Sequence, residues 1–332
     1  MSASNSSLNS NARLSEPLFA DGVIVIDKPA GPTSHDIVAV MRRSVRRSSI
    51  VHRPSSTKIG HTGTLDPLAS GVLPLVIGKA TRLAQFLSSA EKEYEADIEL
   101  GVSTTTQDRG GEKVERAHAR AVSELTAAMI DDAVAGFRGT YLQQPPVYSA
   151  KKIDGDRAYD LARKNAPVRL KPVKVTAAAL EVIDWHGSRL RLRLVCSAGY
   201  YVRALADALG EALGTGGHLA GLVRTRSGEF TMAQAVGLDV LDREPERAAA
   251  KVIPLAALLP GLPAITLTAE GASLAARGGF VGPAHVSSTE TLAALPKTGR
   301  VRLFHPDGHL VAIAEPRAGG VSGLLHPSVV LE

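Results

Sequence analysis

The sequence predicts an α+β fold with a small β-rich C-terminal domain, and three observations predict it. Strand-like and helix-like segments are mixed without the regular βαβ rhythm of a doubly wound sheet. Pro254, Pro260, Gly261 and Pro263 punctuate the chain near Ile253, as linkers between domains do. Beyond them, about Ala264 to Glu332, the segments are short and β-like, with turn chemistry for a hairpin at Pro306-Asp307-Gly308. The 332 residues exceed one ordinary domain. The predicted layout is a disordered tail over 1–19, a large domain over 20–252, a linker over 253–263 and a small domain over 264–332.

Taken in order, Gly22 to Ile26 is β-branched and reads as a strand, ended by the turn residues Lys28-Pro29-Ala30-Gly31-Pro32. A helix follows, capped by Thr33 or Ser34, with Ile37, Val38, Met41 and Val45 on one face and Arg42, Arg43, Arg46 and Arg47 on the other. Ser48 to Thr57 is polar, contains Pro54 and reads as a loop. Gly60 to Gly71 reads as a second, glycine-punctuated loop anchored by a buried strand over Val72 to Ile77, with a short helix around Thr81 to Leu87. Tyr94 to Val102 is a strand, Thr126 to Phe137 a helix, and Gln143 to Val147 extended. Leu180 to Ile183 and Leu190 to Val195 pair around Gly187, and Val202 to Leu213 is a helix closed by Gly214.

Composition excludes several classes. With 44% hydrophobic and 21% charged residues the chain is globular, and no apolar run is long enough for a bilayer, so a membrane association is not expected. The Ser/Asn-rich start, Met1 to Pro17, has no secretory pattern. Cys196 is the single cysteine, so no intramolecular disulfide or thiolate cluster can form; this fits a cytoplasmic setting, with Cys196 as a buried structural thiol. The net charge of +5 is modest, but its distribution is not even. One basic cluster spans Lys28, Arg42, Arg43, Arg46, Arg47, Arg53 and Lys58; a second runs from Arg138 through Lys151, Lys152, Arg157, Arg163, Lys164, Arg169 and Lys171 to Lys174. Each alone reads as a solvated face, whereas two flanking one glycine-rich motif point to nucleic acid.

Negative findings narrow the chemistry. There is no Walker loop, no HExxH, no Cys/His ligand set and no strand-linked GxGxxG; Gly214-Thr215-Gly216-Gly217 follows a helix rather than a strand. The densest motif is Gly60-His61-Thr62-Gly63-Thr64-Leu65-Asp66-Pro67-Leu68-Ala69-Ser70-Gly71. Pro67 biases Asp66 away from the α region, and the glycines let the backbone turn sharply and approach a ligand. On residues alone Asp66 reads first as an Asx-turn residue and only second as a presented carboxylate.

This motif, with Gly22 to Pro29 and Thr33-Ser34-His35 before it, resembles the bacterial tRNA pseudouridine-55 synthase (TruB) family. The resemblance continues through Lys92-Glu93-Tyr94, Gln144-Pro145-Pro146-Val147-Tyr148-Ser149-Ala150, Tyr201-Val202-Arg203, Gly217-His218-Leu219 and Leu222. It covers roughly Gly22 to Phe230 in the family's order, and the Gly-Arg-Leu-Asp signature of related ribosomal-RNA families is absent. The resemblance implies a pseudouridine synthase fold around a central, largely antiparallel sheet and an isomerase that converts uridine 55 of the tRNA T-arm to pseudouridine. It implies no cofactor, no metal and no obligate protein partner. Asp66 takes the essential aspartate position, as attacker of sugar or base or as acceptor of a ribose proton. By the same likeness Arg203 pairs with it, Tyr94 stacks on the target base, His61 fills the gap left by the extruded base, and Tyr201 and Leu222 line the pocket. Lys28-Pro29 matches a motif supporting the catalytic loop. Without the likeness, Arg203 reads as a helix-terminal charge, Tyr94 as a half-buried strand aromatic and His61 as a turn residue.

Three features depart from the family. Ser197-Ala198-Gly199-Tyr200 replaces a Lys/Ser-Gly-Thr pattern, Ser44 to Lys58 is longer, and the C-terminal part lacks a clear PUA match, looking closer to actinobacterial members. The competing reading is an RNA-binding or RNA-folding protein without catalysis. A catalytic subunit of a guide-RNA particle is disfavoured by the lack of an extended C-terminal domain and basic tails.

Overall fold

The computed structural model describes residues 18–47, 57–115, 119–148, 152–153, 156–157, 170–288, 299–316 and 324–332. The expected tail over Met1 to Pro17, almost all of the Ser48 to Thr57 loop, and Arg53, Lys151, Arg163, Lys164 and Arg169 lie outside the described residues, as do the side chains of Lys152 and Arg157.

Strand β1 (Gly22–Lys28) is buried on both faces: Val23 and Val25 point one way, Ile24 and Ile26 the other, all fully buried. Such two-sided burial demands the β-branched run seen there. Helix α1 (Ser34–Arg47) starts at a reciprocal cap. The Thr33 hydroxyl accepts from the Asp36 N–H at 3.1 Å and the Asp36 carboxylate accepts from the Thr33 N–H at 2.8 Å. Ile37, Val38, Met41 and Val45 are buried as the periodicity requires, leaving Arg42, Arg43, Arg46 and Arg47 exposed.

Next come β2 (Ile59–His61), β3 (Ala69–Ile77), α2 (Ala84–Ser89), β4 (Lys92–Leu100), α3 (Ala127–Ala135), β5 (Gly139–Gln143), β6 (Val173–His186), β7 (Arg189–Cys196) and α4 (Val202–Leu213). They are followed by β8 (Gly217–Ser227), β9 (Val236–Gly237), α5 (Leu238–Arg243) and β10 (Ile253–Pro254). The main sheet runs β9-β1-β3-β8-β4-β7-β6-β5. β1 with β9 and β3 with β8 are parallel; the other joins along this path are antiparallel. The expected largely antiparallel sheet is therefore present, with two parallel joins where chain returns after long connections.

Two elements differ from the sequence reading. The glycine loop is shorter than expected, because β2 pairs with β3 (His61 opposite Leu75) and β3 begins at Ala69, where it pairs with Leu222 to Arg224 of β8. Strand β8 itself, central in the sheet, escapes the period-2 test. Register shifts at Leu219/Gly221 and Arg224/Arg226 slip the inward–outward alternation twice within eleven residues.

On one face of the sheet, α1 and α4 cover Ile24, Ile26, Ala96 and Ile98. On the other, Val23, Val25, Val72 and Val76 pack with Leu258 and with Leu310, Ile313 and Leu331 of the C-terminal part. That part forms a separate sheet of β11 (Ala264–Thr266), β12 (Val301–Phe304), β13 (Leu310–Pro316) and β14 (Leu325–Val330), in that order. The β12–β13 hairpin turns at residues 305–309, over the expected Pro-Asp-Gly. Between the sheets, Ile253 pairs with Val23 of β1, and Arg302 donates to the carbonyls of Leu258 and Leu262 at 3.3 and 3.1 Å.

Candidate active site

The loop 62–68 leaves β2 and enters β3 beside β8, and its conformation is fixed from several sides. The Ser34 hydroxyl at the start of α1 accepts from the Leu65 N–H at 2.8 Å and donates to the Leu65 carbonyl at 3.0 Å. The Pro67 carbonyl accepts from the Gly31 N–H at 2.7 Å, and the Ala69 N–H returns to the Asp66 carbonyl at 3.0 Å. Lys28, fully buried at the end of β1, donates its ammonium to the carbonyls of Ala69 at 2.6 Å and Pro29 at 2.9 Å. Burial pulls the Lys28 pKa down to about 8, with the Asp66 charge opposing that shift. Gly71 closes the loop at φ +98°, where a Cβ would stand 2.3 Å from the Arg224 carbonyl oxygen. Only glycine permits β3 and β8 to approach so closely there.

Asp66 projects from this loop into a cavity of about 290 Å³ whose walls include Tyr94, Tyr201, Arg203, Leu222, Arg224 and Lys92. Arg203 occupies the first turn of α4, where the helix dipole disfavours a cation, and it is nearly buried. Its place is maintained by compensating partners. Nε lies 2.8 Å from Asp66 Oδ2, Nη1 lies 3.6 Å from Asp108 Oδ2, and the guanidinium donates to the carbonyls of Tyr148 at 2.9 Å and Thr106 at 3.2 Å. A buried guanidinium requires this degree of satisfaction, and the result is a carboxylate held in one orientation at the cavity wall.

A second arginine, Arg224 of β8, is fully buried and tied to the same loop: Nε donates to the Val72 carbonyl at 2.7 Å, Nη2 to Gly63 at 3.1 Å and Nη1 to Thr64 at 3.5 Å. It stands opposite Tyr94 of β4 in the strand register. Burial raises the Tyr94 hydroxyl pKa and the adjacent Arg224 charge opposes that; the ring remains a neutral phenol on the cavity wall. Lys92 is pulled to about 8 by burial and by Arg224, while donating to the Ala90 carbonyl at 2.5 Å. Tyr201 is clamped by Gln143, whose side chain accepts from the Tyr201 N–H at 2.9 Å and donates to its carbonyl at 3.0 Å.

The structure thus brings Asp66, Tyr94, Tyr201, Arg203 and Leu222 to one cavity. His61 is not among the lining residues: it ends β2, half-buried, with Nδ1 accepting from the Gly63 N–H at 3.3 Å. Burial, then the charges of Arg224 and His35, lower its pKa and favour the neutral ring. Cys196 is buried, its thiol pushed up to about 12, as a structural thiol should be. Arg224 is the residue that sequence reasoning missed; alternation from Leu222 along β8 places it on the same face. No helix among the described residues is long and apolar enough to cross a membrane.

The fold has solved counterparts. It superposes on the Cbf5–Nop10–Gar1 complex structure with a TM-score of 0.67 at 24% identity, over 96% of this chain and 91% of that one. A structure of an H/ACA RNP bound to a substrate RNA containing 2′-deoxyuridine gives 0.66 at 23%, over 95% and 86%. These likenesses show the fold; the class, a pseudouridine synthase and so an isomerase, comes from the family models that the chain matches. Residues 51–202 match the model of the TruB family pseudouridylate synthase N-terminal domain, and residues 203–259 match the tRNA pseudouridylate synthase B C-terminal domain. The chain is similar to tRNA pseudouridine synthase B of Solibacter usitatus, 42% identical over 94% of this chain and 100% of the relative. It is also similar to that of Thermobifida fusca, 41% identical over 91% and 96%. The chain belongs to the TruB family of pseudouridylate synthases.

Proposed function

We propose that the protein converts uridine 55 in the T-arm of tRNA to pseudouridine, with Asp66 as the catalytic carboxylate. The observation that carries this reading is the Asp66–Arg203 pair at 2.8 Å in a cavity also lined by Tyr94. The reaction breaks the bond from ribose C1′ to base N1 and joins C5 to C1′; C5 loses a proton and N1 gains one. Substrate and product are isomers, so neither electrons nor water are consumed and no cofactor is called for. An anionic carboxylate serves whether the group attacks sugar or base or accepts a ribose proton. Arg203, 2.8 Å away, holds it in one orientation. The cavity of about 290 Å³ lies at the small end of ligand pockets and suits a single extruded nucleotide better than a stacked one, so the base must be flipped before reaction. Tyr94 supplies the stacking wall. The relatives named tRNA pseudouridine synthase B support tRNA as the substrate, and the exposed arginines of α1 supply phosphate contacts beside the loop.

The test is position-resolved mapping of pseudouridine in an unmodified tRNA transcript treated with purified protein in chelator. Modification at position 55 is expected, and modification only elsewhere would overturn the assignment of site. Asp66→Asn should bind the T-arm with near-normal affinity, since affinity comes from phosphate contacts and stacking, and should form no detectable pseudouridine. Substantial turnover by that folded variant would remove Asp66 from the chemistry.

A further inference from the structure

The turn of the β12–β13 hairpin gathers donor atoms that the pseudouridylation site does not use. His305, Asp307 and His309 present ligand atoms that all lie within 4.8 Å of one another. Both imidazoles turn Nδ1 toward the same carboxylate oxygen: Asp307 Oδ1 is 3.0 Å from His305 Nδ1 and 2.5 Å from His309 Nδ1. The rings lie side by side, centroids 4.6 Å apart and 17° from parallel. On its far edge, His309 Nε2 meets the Glu332 carboxylate at 2.7 Å.

Turn formation accounts for only part of this. Asp307 Oδ1 accepts from the His309 N–H at 3.1 Å, His305 Nδ1 accepts from the Asp307 N–H at 3.3 Å and Gly308 has φ +93°, a turn that uses Asp, Gly and the His305 ring but needs neither the His309 ring nor Glu332. Two imidazole nitrogens and a carboxylate converging from positions i, i+2 and i+4 form a donor set suited to borderline divalent cations. The Glu332 contact adds a separate feature: metal-bound histidines characteristically give their other ring N–H to a carboxylate, which fixes the tautomer. His309 has that arrangement, with Nδ1 toward the cluster and Nε2 toward Glu332. We propose that His305, Asp307 and His309 form a surface site for a zinc-class divalent cation, with Glu332 orienting His309.

The present N–O separations are those of hydrogen bonds. A cation with bonds of about 2.0–2.1 Å takes the place of the bridging protons after a small opening of exposed side chains. Protons compete for the same ring nitrogens, because a ligating imidazole must be neutral, so cation affinity falls as pH drops through the histidine range. None of the four residues lines the catalytic cavity, and bound cation is not needed for turnover. By linking β12–β13 to Glu332 beyond β14, it clamps the edge of the C-terminal sheet.

Calorimetric titration of the full, tag-free, chelator-treated chain with ZnCl₂ at pH 7.5 tests this. One equivalent should bind, and His305→Gln and His309→Gln should each weaken it at least tenfold. Glu332→Gln should weaken it by roughly 10-fold, the lower end of the effect of losing an outer-shell partner. Pseudouridine formation by all three variants should match that of the original chain. Absence of saturable uptake, or uptake unchanged in both histidine variants, overturns the site; circular dichroism of each variant ensures that the losses are not losses of fold.

Discussion

Strand β4 carries two kinds of electrostatics on its two faces. Outward, Glu93, Glu95, Asp97 and Glu99 meet Arg189, Arg191, Arg193 and Arg226 across the neighbouring strands in a ladder of ion pairs. Inward, Tyr94 faces the cavity where Arg203 holds Asp66 and Arg224 holds the loop. Both faces use arginine and carboxylate at similar distances; what differs is water. Arg191 and Glu95 are 50% and 36% exposed, whereas Arg203 is 8% exposed. Solvent screens the outer pairs, while the inner arginine has lost its hydration and interacts strongly with whatever replaces it. The inner pair therefore fixes the orientation of the proposed catalytic carboxylate, and the outer ladder adds only sheet cohesion.

The most severe way to break this comparison, short of removing Asp66, is to remove its partner. Arg203→Met leaves Asp66 at the cavity and Asp108 behind it without their cation, and turnover should fall by two or more orders of magnitude; stability should also fall, by less than for a fully buried pair because Asp66 is 36% exposed. Arg203→Lys sharpens the point, because it restores charge without the planar fork. Single-turnover rates between those of the original and the Met variant are expected. Equal rates for Lys and Met would mean that geometry alone matters, and an unchanged rate in Met would separate Arg203 from the chemistry.

Tyr94 lies on the same inner face, and its proposed role is stacking rather than charge. Tyr94→Leu should lose a contact of about 1–3 kcal/mol per base, a loss of roughly 5- to 150-fold in kcat/KM. Tyr94→Phe should keep the stack and lose only the hydroxyl beside Arg224. A Leu variant as active as the original would take Tyr94 out of the site.

How much of this was legible depended on whether local rules and tertiary contacts agreed. Helix α4 was read at both ends because Gly214 takes the left-handed conformation, φ 76°, that stops a helix. The face of α1 was legible because burial follows its period. Strand β8 was not, since register shifts on either side of Leu222 to Arg224 leave only a short alternating stretch, and Arg224 was missed with it. Nor could spacing alone reveal that β3 reaches back to Ala69, because that depends on pairing with β8 about 150 residues away in the chain. The catalytic assignments came from the family likeness; the residues by themselves favoured a turn at Asp66. Geometry adds the reason those residues belong together: β1, β3, β8 and β4 are neighbours, so four distant motifs meet at one end of the sheet.

The exposed arginines of α1 form a third setting, with fewer partners. Arg42 donates to the Ile59 carbonyl at 3.2 Å and Arg47 meets Asp242 at 3.1 Å, both weakly held at the surface. Their proposed role is in holding RNA phosphates, each contact steepening the salt dependence of affinity by a log–log slope of about 0.7–0.9. Replacing Arg42, Arg43, Arg46 and Arg47 by Gln should flatten that slope and weaken T-arm binding in filter-binding assays, with single-turnover kcat at saturating RNA nearly unchanged. The same slope in the variant would assign these arginines to solvent alone.

The smallest effect belongs to the outer ladder, and it is the control that gives the others meaning. Arg191 pairs with Glu95 at 2.5 Å and approaches Asp97 at 3.8 Å, and its neighbours raise its already high pKa, so it stays charged across any working pH. A double-mutant cycle through Arg191→Gln and Glu95→Gln isolates the pair from the remaining contacts. Exposed pairs measured in this way contribute about 0.2–1 kcal/mol, and salt diminishes them. The coupling energy from urea unfolding should fall in that range, shrink in 1 M NaCl, and leave kcat/KM for tRNA untouched. A coupling comparable to the loss in Arg203→Met would show that the outer face is shielded from water more than its exposure indicates. A loss of turnover without loss of stability would show that the ladder, through the shared strand, helps to position Tyr94. Neither is expected. The side chains at 93, 95, 97 and 99 point away from the cavity, and β4 is held by backbone pairing to β7 and β8 along its whole length.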